Sequence, residues 1–239
     1  MLVKHKNKYG QPIGSPVRGW QACTFPPRSA VSGIWCRVEI LVPEKHAEEL
    51  YAAYVKQRHD QDWTYLPYGP FEHFDDYQSW LTKTCTGDDP LFHTIIEAET
   101  NKAVGVASFL RIQPGIGVIE VGHIHFSPLL QKTPVATEAM FLMMSRVFDE
   151  LGYRRYEWKC DALNAPSRKA AERFGFGFEG VFRQATLYKN RNRDTAWFGI
   201  IDKDWPILKK SFQTWLKPDN FDTQGRQKKS LQQIRENLH

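Results

Sequence analysis

The sequence predicts an α/β (α+β) fold in which helices pack on a mixed central sheet. Segments with period-two alternation of β-branched and aromatic residues take turns along the chain with segments of helical spacing. The last two strand-like segments are separated by a short polar turn, which is typical of an antiparallel hairpin. The chain has 239 residues, 41% of them hydrophobic, so it can bury a sizeable core.

The first half of the chain contains a lead-in followed by three strands and two helices. Residues 1–34 are rich in glycine and proline and predict an irregular lead-in. Pro43 suits the first turn of a helix, and apolar residues recur at helical spacing after it. In order, we expect a strand at 35–42, a helix from 43, an aromatic proline-broken loop at 64–71, a helix at about 74–83 and two strands within 92–112.

The second half alternates between strands and helices and ends in the hairpin. Gly175 stands where glycine commonly ends a helix. We expect a strand at 117–126, a helix from Pro134 to about Leu151, a strand at 154–162, a helix at 164–176, hairpin strands on either side of 190–193 and a helix at about 207–216. These elements suggest a lead-in at 1–34, one main folded domain at 35–205, and a carboxy-terminal helix with a polar tail at 206–239.

Composition narrows the class of protein. No segment approaches the roughly 18 consecutive apolar residues of a membrane span, and the amino terminus has no apolar signal stretch. We therefore expect a cytoplasmic protein with no membrane partner. The four cysteines lie far apart without a CxxC pair, which favours buried thiols over disulfides or a cysteine-rich zinc site.

The net charge of +5 is unevenly distributed. Between residues 183 and 194, Arg183, Lys189, Arg191 and Arg193 accompany one acidic residue. Such an excess favours an anionic partner, although a solvated surface explains it equally well. No nucleic-acid motif occurs, so we do not expect a nucleic-acid partner, and the sequence leaves a homodimer open.

The stretch FSPLLQKTPVATEAM, residues 126–140, predicts an anion site at a helix start. Thr133 is a good N-cap, and Pro134 suits the first helical position because its missing N–H would have no partner there. The open amides of Val135 and Ala136, together with those of Lys132 and Thr133, would then face an anion. An ordinary helix start with nothing bound remains an alternative.

The same stretch resembles the phosphate-binding segment V-x-P-x-x-[RQ]-G-x-G-x-[GA] of the GNAT acyltransferases. The matching residues are Phe126, Pro128, Gln131, Lys132, Pro134 and Ala136, with Lys132 and Pro134 in place of two glycines. The strand RRYEWKCDA is followed by a second segment similar to the family's, N-x-x-S-x-x-x-A-x-x-x-G-F, at Asn164, Ser167, Ala171, Gly175 and Phe176. The closing hairpin and the loop WTYLPYGPF resemble the branch that includes the RimJ and RimL ribosomal-protein N-acetyltransferases. The resemblance covers roughly residues 35–205.

The resemblance implies a GNAT-like, mostly antiparallel sheet with helices on both faces. It also implies transfer of an acetyl group from acetyl-CoA to a primary amine, either a protein N-terminus or a small molecule, by direct attack in a ternary complex. A non-catalytic CoA-binding or ribosome- or RNA-associated protein with this fold is the alternative. The cofactor-binding residues would be Phe126, Gln131, Lys132, Thr133, Pro134, Val135, Ala136, Thr137, Asn164 and Arg173.

Two residues are candidates for proton transfer. Glu120 lies on the strand where this family commonly places its catalytic carboxylate, and alternation puts it on one face with Gly122 and Ile124. Apolar neighbours would raise its pKa, whereas an exposed carboxylate or an arginine pair is the alternative. Many relatives use a tyrosine where this chain has Ala171, which leaves Ser167 as the acid, unless it is merely the N-cap or a first-turn serine of the helix that begins near Pro166.

The remaining candidates concern the acceptor and a metal. In relatives the acceptor enters between the aromatic loop and the hairpin, so Trp63, Tyr65, Tyr68 and Arg183 are expected wall residues. Aromatic faces favour a cation or an apolar group and arginines favour an anion, so the acceptor stays open. His123 is a reserve base, and with His125 it lacks a third ligand at suitable spacing, so we expect no metal.

Overall fold

The computed structural model describes residues 5–55 and 60–238. A small hairpin, β1 (His5–Lys6) and β2 (Pro12–Ile13), precedes the main sheet. The strands of the main sheet are β3 (Val31–Ser32), β4 (Cys36–Ile40), β5 (Leu91–Glu97), β6 (Ala103–Gln113), β7 (Val118–Phe126), β8 (Arg155–Asp161), β9 (Gly177–Tyr188) and β10 (Arg191–Ile201). The α-helices are α1 (Pro43–Val55), α2 (Phe74–Thr84), α3 (Pro134–Ser145), α4 (Ala165–Phe174), α5 (Trp205–Trp215) and α6 (Leu231–Glu236).

The main sheet has the order β3-β4-β5-β6-β7-β8-β10-β9. All of its neighbouring strands are antiparallel except β7 and β8, which are parallel. The parallel pairing stops at Val121 and Trp158, although β7 continues to Phe126 and β8 to Asp161. The two strands therefore separate beyond this point and leave a gap within the sheet.

Helices cover both faces of the sheet. On one face, α1 and α2 enclose a core around Leu50, Tyr77 and Leu81. On the other, α3 to α6 enclose a larger core that includes Met140, Phe174 and Phe212. The predicted mixed, mostly antiparallel sheet with helices on both faces is confirmed. Within the described residues, no helix is long and apolar enough to cross a membrane.

The carboxy-terminal segment differs from the expected polar tail. After α5, the chain forms a short 3-10 turn at Pro218–Asn220 and a bridge between Phe221 and Gln227, and then enters α6. Leu231 and Ile234 of α6 are buried in the larger core. The tail was expected to be polar because most of its residues are, but two apolar residues three positions apart suffice to attach a short helix.

The lead-in is attached to α3 by a buried carboxylate. Glu138 accepts hydrogen bonds from the backbone amides of Ile34, Trp35 and Cys36 at 2.6–2.8 Å. Gly33 leaves the space that this carboxylate occupies, because a Cβ there would lie 2.3 Å from Glu138 Cδ. Helix α3 ends at Ser145 and not near Leu151 as expected, because a π-helical turn at Arg146–Glu150 replaces its last residues.

Candidate active site

The gap between β7 and β8 is flanked by two cavities. Since parallel strands end at the same edge of a sheet, β7 and β8 deliver the amino-terminal ends of α3 and α4 side by side. The helix-end cavity, about 1150 Å³, lies against these two helix starts. The hairpin cavity, about 920 Å³, lies between β7, β8 and the β9–β10 hairpin. The two cavities share the wall residues Asp62, Tyr65, Ile124, Trp158, Asn164 and Ser167.

The loop before α3 has a backbone conformation typical of glycine at a position where this chain has lysine. Lys132 adopts a left-handed conformation with φ of 61°, which glycine adopts most easily. Thr133 is the N-cap, and its Oγ1 accepts from Ala136 N at 3.3 Å. Its own amide donates to Leu130 O at 3.4 Å. Of the four amides expected to be open, those of Lys132 and Val135 alone have no acceptor in the part of the chain that the structure describes.

Other predicted cofactor residues line the helix-end cavity in different ways. Gln131 braces the loop, because its Nε2 donates to Phe126 O at 2.9 Å and to Asp62 Oδ2 at 3.2 Å. Arg173 Nη2 donates to Thr137 Oγ1 at 3.1 Å, and burial lowers the pKa of this guanidinium. Val135 differs from the expectation in that its side chain lies in the core, so only its amide is available to a ligand.

Asn164 and Ser167 lie where the two cavities meet. Asn164 is the N-cap of α4, and its Oδ1 accepts from Ser167 N at 3.1 Å. Ser167 is therefore not the N-cap; it lies in the first turn of α4, which is the other form of the structural alternative. The indole of Trp158 donates to Ser167 Oγ at 3.0 Å. Because the hydroxyl oxygen accepts this hydrogen bond, its proton can be donated to a group in the gap.

A bulge in β7 changes the face that each residue was expected to occupy. The register between β6 and β7 shifts after Gly122, and His123 has a φ of 50°. Ile124 therefore joins Val121 against the larger core, whereas His125 packs on the aromatic rings of Tyr54 and Trp63 on the opposite side. The predicted shared face of Glu120 and Ile124 is wrong, because strict alternation does not continue through a bulge.

Glu120 is buried, at 3% exposure, but its surroundings are charged. Both carboxylate oxygens lie 2.7 Å from Arg111 Nη1, and Oε2 lies 2.8 Å from Lys159 Nζ. Lys159 also contacts Glu157 Oε2 at 2.7 Å. The prediction of apolar neighbours around Glu120 is therefore wrong, and the alternative of an arginine pair is correct. Arg111 is the solvent-exposed member of this cluster, since its side chain is 56% exposed.

The two histidines of β7 have different surroundings. His123 lines the hairpin cavity, and its Nδ1 lies 3.1 Å from the hydroxyl of Tyr68. Burial lowers the pKa of His123 to about 4, with smaller contributions from Arg111 and Arg193. His125 is buried against Trp63, and this burial lowers its pKa to about 3. Both imidazoles are consequently neutral at pH 7.

The comparison with known proteins decides the family. A model of the acetyltransferase (GNAT) domain matches residues 37–177. The chain belongs to the GNAT acetyltransferases. A GCN5-related N-acetyltransferase from Brucella melitensis is 47% identical, with a TM-score of 0.90 over 92% of this chain and 100% of the other. A "probable acetyltransferase (GNAT family)" from Chromobacterium violaceum is 39% identical, with a TM-score of 0.76 over 82% and 98% of the two chains.

A more distant relative supports the same activity class. The uncharacterized N-acetyltransferase YnaD of Bacillus subtilis is 24% identical over 166 residues, which cover 70% of this chain and 95% of the relative. This GNAT acetyltransferase is accordingly an acetyl-CoA-dependent N-acetyltransferase.

The acceptor residues predicted for this GNAT acetyltransferase divide into two groups. Tyr65 lines both cavities and Arg183 lines the hairpin cavity. Trp63 is 7% exposed and lies in the core around α1 and α2, so its prediction as a wall residue is wrong. Tyr68 lies behind His123, which it contacts through its hydroxyl group, and it does not line either cavity. Aromatic side chains of this loop are used mainly for packing.

Several polar residues of the hairpin cavity were missed by sequence reasoning. On β8, Glu157, Lys159 and Asp161 alternate with apolar residues that enter the larger core. This period-two polar pattern on a buried strand was a usable signal. Arg193 was noted only as part of the basic excess at 183–194, and Arg111 gave no signal. Neither did the carboxy-terminal residues that line the helix-end cavity, which are Trp215, Phe221, Gly225, Arg226 and Gln227.

Proposed function

We propose that this protein transfers an acetyl group from acetyl-CoA to a primary amine by direct attack within a ternary complex. The observation that carries the proposal is the meeting of two separate cavities at Trp158, Asn164 and Ser167. An acyl donor in the helix-end cavity and an amine in the hairpin cavity could then be present together. No covalent acetyl-enzyme would be required, because the amine reaches the thioester through the gap in the sheet.

The residues of the helix-end cavity fit CoA. The free amides of Lys132 and Val135 at the start of α3 suit a pyrophosphate, and Arg173 lies in the same wall. The carboxamide NH2 of Asn164 has no acceptor among the described residues and suits a pantetheine carbonyl. Acetyl-CoA supplies an acyl group activated as a thioester, and these residues would hold it with its thioester end toward Ser167.

Ser167 and Glu120 are the proposed proton-transfer residues. Ser167 Oγ, oriented by the Trp158 indole, would give its proton to the leaving thiolate. Glu120 would receive the proton of the attacking amine, directly or through water, after the incoming amine replaces the exposed Arg111 beside it. His123 is the reserve base: its neutral imidazole lines the same cavity, and its pKa of about 4 makes it, like a carboxylate, a weak acceptor for an ammonium proton.

The RimJ/RimL-like assignment is the finer part of this proposal. It rests on the sequence of the closing hairpin and the aromatic loop. A "putative ribosomal-protein-serine acetyltransferase" from Vibrio cholerae has a TM-score of 0.63 at 18% identity, which concerns the fold alone. A non-catalytic or ribosome-associated role is the second candidate, because Lys132 and Pro134 replace two glycines of the phosphate loop.

Binding and turnover test the proposal separately. Acetyl-CoA at about 100 times its Kd should stabilise the protein by roughly 2.7 kcal/mol, a melting shift of about 5–10 °C, well above the shift with ATP. Release of free CoA from acetyl-CoA should require an amine. A shift without amine-dependent release of CoA would favour a non-catalytic CoA-binding protein, and no shift at saturating acetyl-CoA would favour the ribosome-associated role.

Single variants test the two proton-transfer roles. We expect Ser167→Ala and Glu120→Gln each to lower kcat by about 100-fold or more, with acetyl-CoA binding retained. Thr214→Ala is the matched control, because this exposed hydroxyl bonds only the backbone of its own helix, at Lys210 O. Full activity of either active-site variant, with an unchanged melting temperature, would refute the corresponding role.

A further inference from the structure

The β10 side of the hairpin cavity contains a guanidinium without a carboxylate partner. Arg193 lines the cavity, and its Nε is buried without a hydrogen-bond acceptor in the described chain. The neighbouring carboxylate of Asp161 accepts from Leu163 N and the Tyr188 hydroxyl, both at 2.8 Å, and it makes no ion pair with Arg193. A partly buried cation that pairs with no group among the described residues is suited to an anionic ligand.

A second donor lies on the same face of the same strand. Residues 193, 195 and 197 alternate toward the cavity, and Trp197 Nε1 is also buried without an acceptor in the described part of the chain. The ammonium of Lys159 lies 3.8 Å from the centroid of the Trp197 ring, and Arg183 lines the rim. Buried donors are normally satisfied, so two unpartnered donors make this wall suitable for contact with an anion. Because they are four residues apart on the strand, about 13 Å, they do not mark one shared position.

Arg193 is close to the place where acetyl transfer would occur. Arg193 lines the same cavity as Ser167, His123 on β7 and Cys160 on β8, which stand on opposite sides of the gap. Burial lowers the pKa of His123 and raises that of Cys160, and in both cases the positive charge of Arg193 acts to lower the pKa. An anion on Arg193 would therefore share this cavity with an amine that attacks in the gap.

We propose that Arg193 binds a carboxylate of the acceptor, and that the acceptor is a small amino acid. The inference rests on the proposed amine acetylation and names its substrate class. The amino group of such an acceptor would lie near the acidic residues of β7 and β8, and its carboxylate would lie on Arg193. Each charge of the amino acid would then face the opposite charge in the cavity. A protein N-terminus fits this site less well, because its α-carboxylate has become a neutral peptide bond.

Matched acceptors test the carboxylate. Free L-amino acids, their C-terminal amides and the corresponding decarboxylated amines would be compared by CoA release with the full-length protein. We expect kcat/KM for the preferred acid to exceed that for its amide by roughly 10- to 100-fold. Arg193→Gln should remove most of this preference by raising KM for the acid and leave the amide nearly unchanged. Arg193→Lys should keep part of the preference for the acid over the amide.

The controls separate this inference from the acetylation itself. Arg18→Gln makes the same substitution at an exposed residue outside both cavities and should leave the preference intact. Equal use of acids and amides, transfer to peptide N-termini alone, or an equal loss for acid and amide in Arg193→Gln would overturn the inference while leaving acetylation standing.

A binding measurement decides the inference if no tested amine is acetylated. The CoA-bound protein would be titrated with N-acetyl-amino acids and with their amides, followed by thermal shift. Stabilisation by the acids that is lost in Arg193→Gln supports the carboxylate site. Equal stabilisation by acids and amides, or no stabilisation by any acid, overturns it.

Discussion

The buried His93 and His125 and the half-buried His123 are all held in their neutral form. Burial lowers the pKa of His93 and of His125 to about 3 and that of His123 to about 4. Both ring nitrogens of His93 and Nδ1 of His125 have no hydrogen-bond partner among the described residues. In the unfolded chain these imidazoles titrate near pH 6.5, so the unfolded state binds more protons than the folded state below that pH.

Stability should consequently fall as the pH drops from about 6.5 toward 4. At pH 5, each histidine with a folded pKa near 3 should reduce the free energy of unfolding by about 2 kcal/mol relative to pH 7. His125→Phe keeps a ring against Tyr54 and Trp63 and removes one of these titrations. Denaturant unfolding at pH 7 and pH 5 should show a smaller pH effect in this variant. An equal change in the free energy of unfolding between pH 7 and pH 5 in the two proteins would contradict the lowered pKa of His125.

At the scale of the element, the start of α3 shows how a lysine can replace a glycine. The left-handed conformation costs a non-glycine residue roughly 1–2 kcal/mol, yet Lys132 adopts it because the chain must turn from β7 into the capped helix. Glycine would avoid this strain but loses more conformational freedom on folding, about 0.5–1 kcal/mol. The two effects nearly cancel.

Lys132→Gly should therefore change the free energy of unfolding by no more than about 1 kcal/mol, with either sign. Lys169 provides the matched control, because it is an exposed lysine in the middle of α4 with ordinary helical geometry. Lys169→Gly should cost about 1 kcal/mol through helix propensity. Chemical denaturation measures both. A Lys132→Gly loss clearly larger than that of Lys169→Gly would show that the lysine side chain stabilises the loop.

At the scale of the whole molecule, the carboxy-terminal segment belongs to the main core. Leu231 is 1% exposed and lies in the same cluster as residues of α3, α4 and α5. The segment between α5 and α6 also lines the helix-end cavity through Phe221, Arg226 and Gln227. Folding of the last residues and formation of the proposed cofactor site are thus connected.

Leu231→Ala should lower the stability of the entire domain. A buried leucine replaced by alanine costs about 2–5 kcal/mol, which should appear as a shift of the single main transition in calorimetry. Gln232→Ala changes the exposed neighbour on the same helix and should have little effect. If the segment frayed independently, the main transition of Leu231→Ala would not move.

The sequence by itself determined the order and type of the main elements between residues 35 and 216 and the two helix starts of the site, but not the short strands β1 to β3 or helix α6. Pro43, Thr133, Pro134 and Gly175 act through their own backbone and nearest neighbours, so their structural roles follow from local chemistry. The α/β class follows from the alternation of these elements, whereas the places of Asn164 and Ser167 at the cofactor site were implied by the resemblance of their segment to the GNAT family.

Only the tertiary structure decided what surrounds each site residue. Glu120 is paired with Arg111 from β6 and Lys159 from β8, strands that come together through pairing across the sheet. The bulge at His123 depends on the register with β6, and the burial of Trp63 depends on its packing with α1. Such contacts join residues far apart in the chain, and neither periodicity nor capping contains information about which distant partner will arrive.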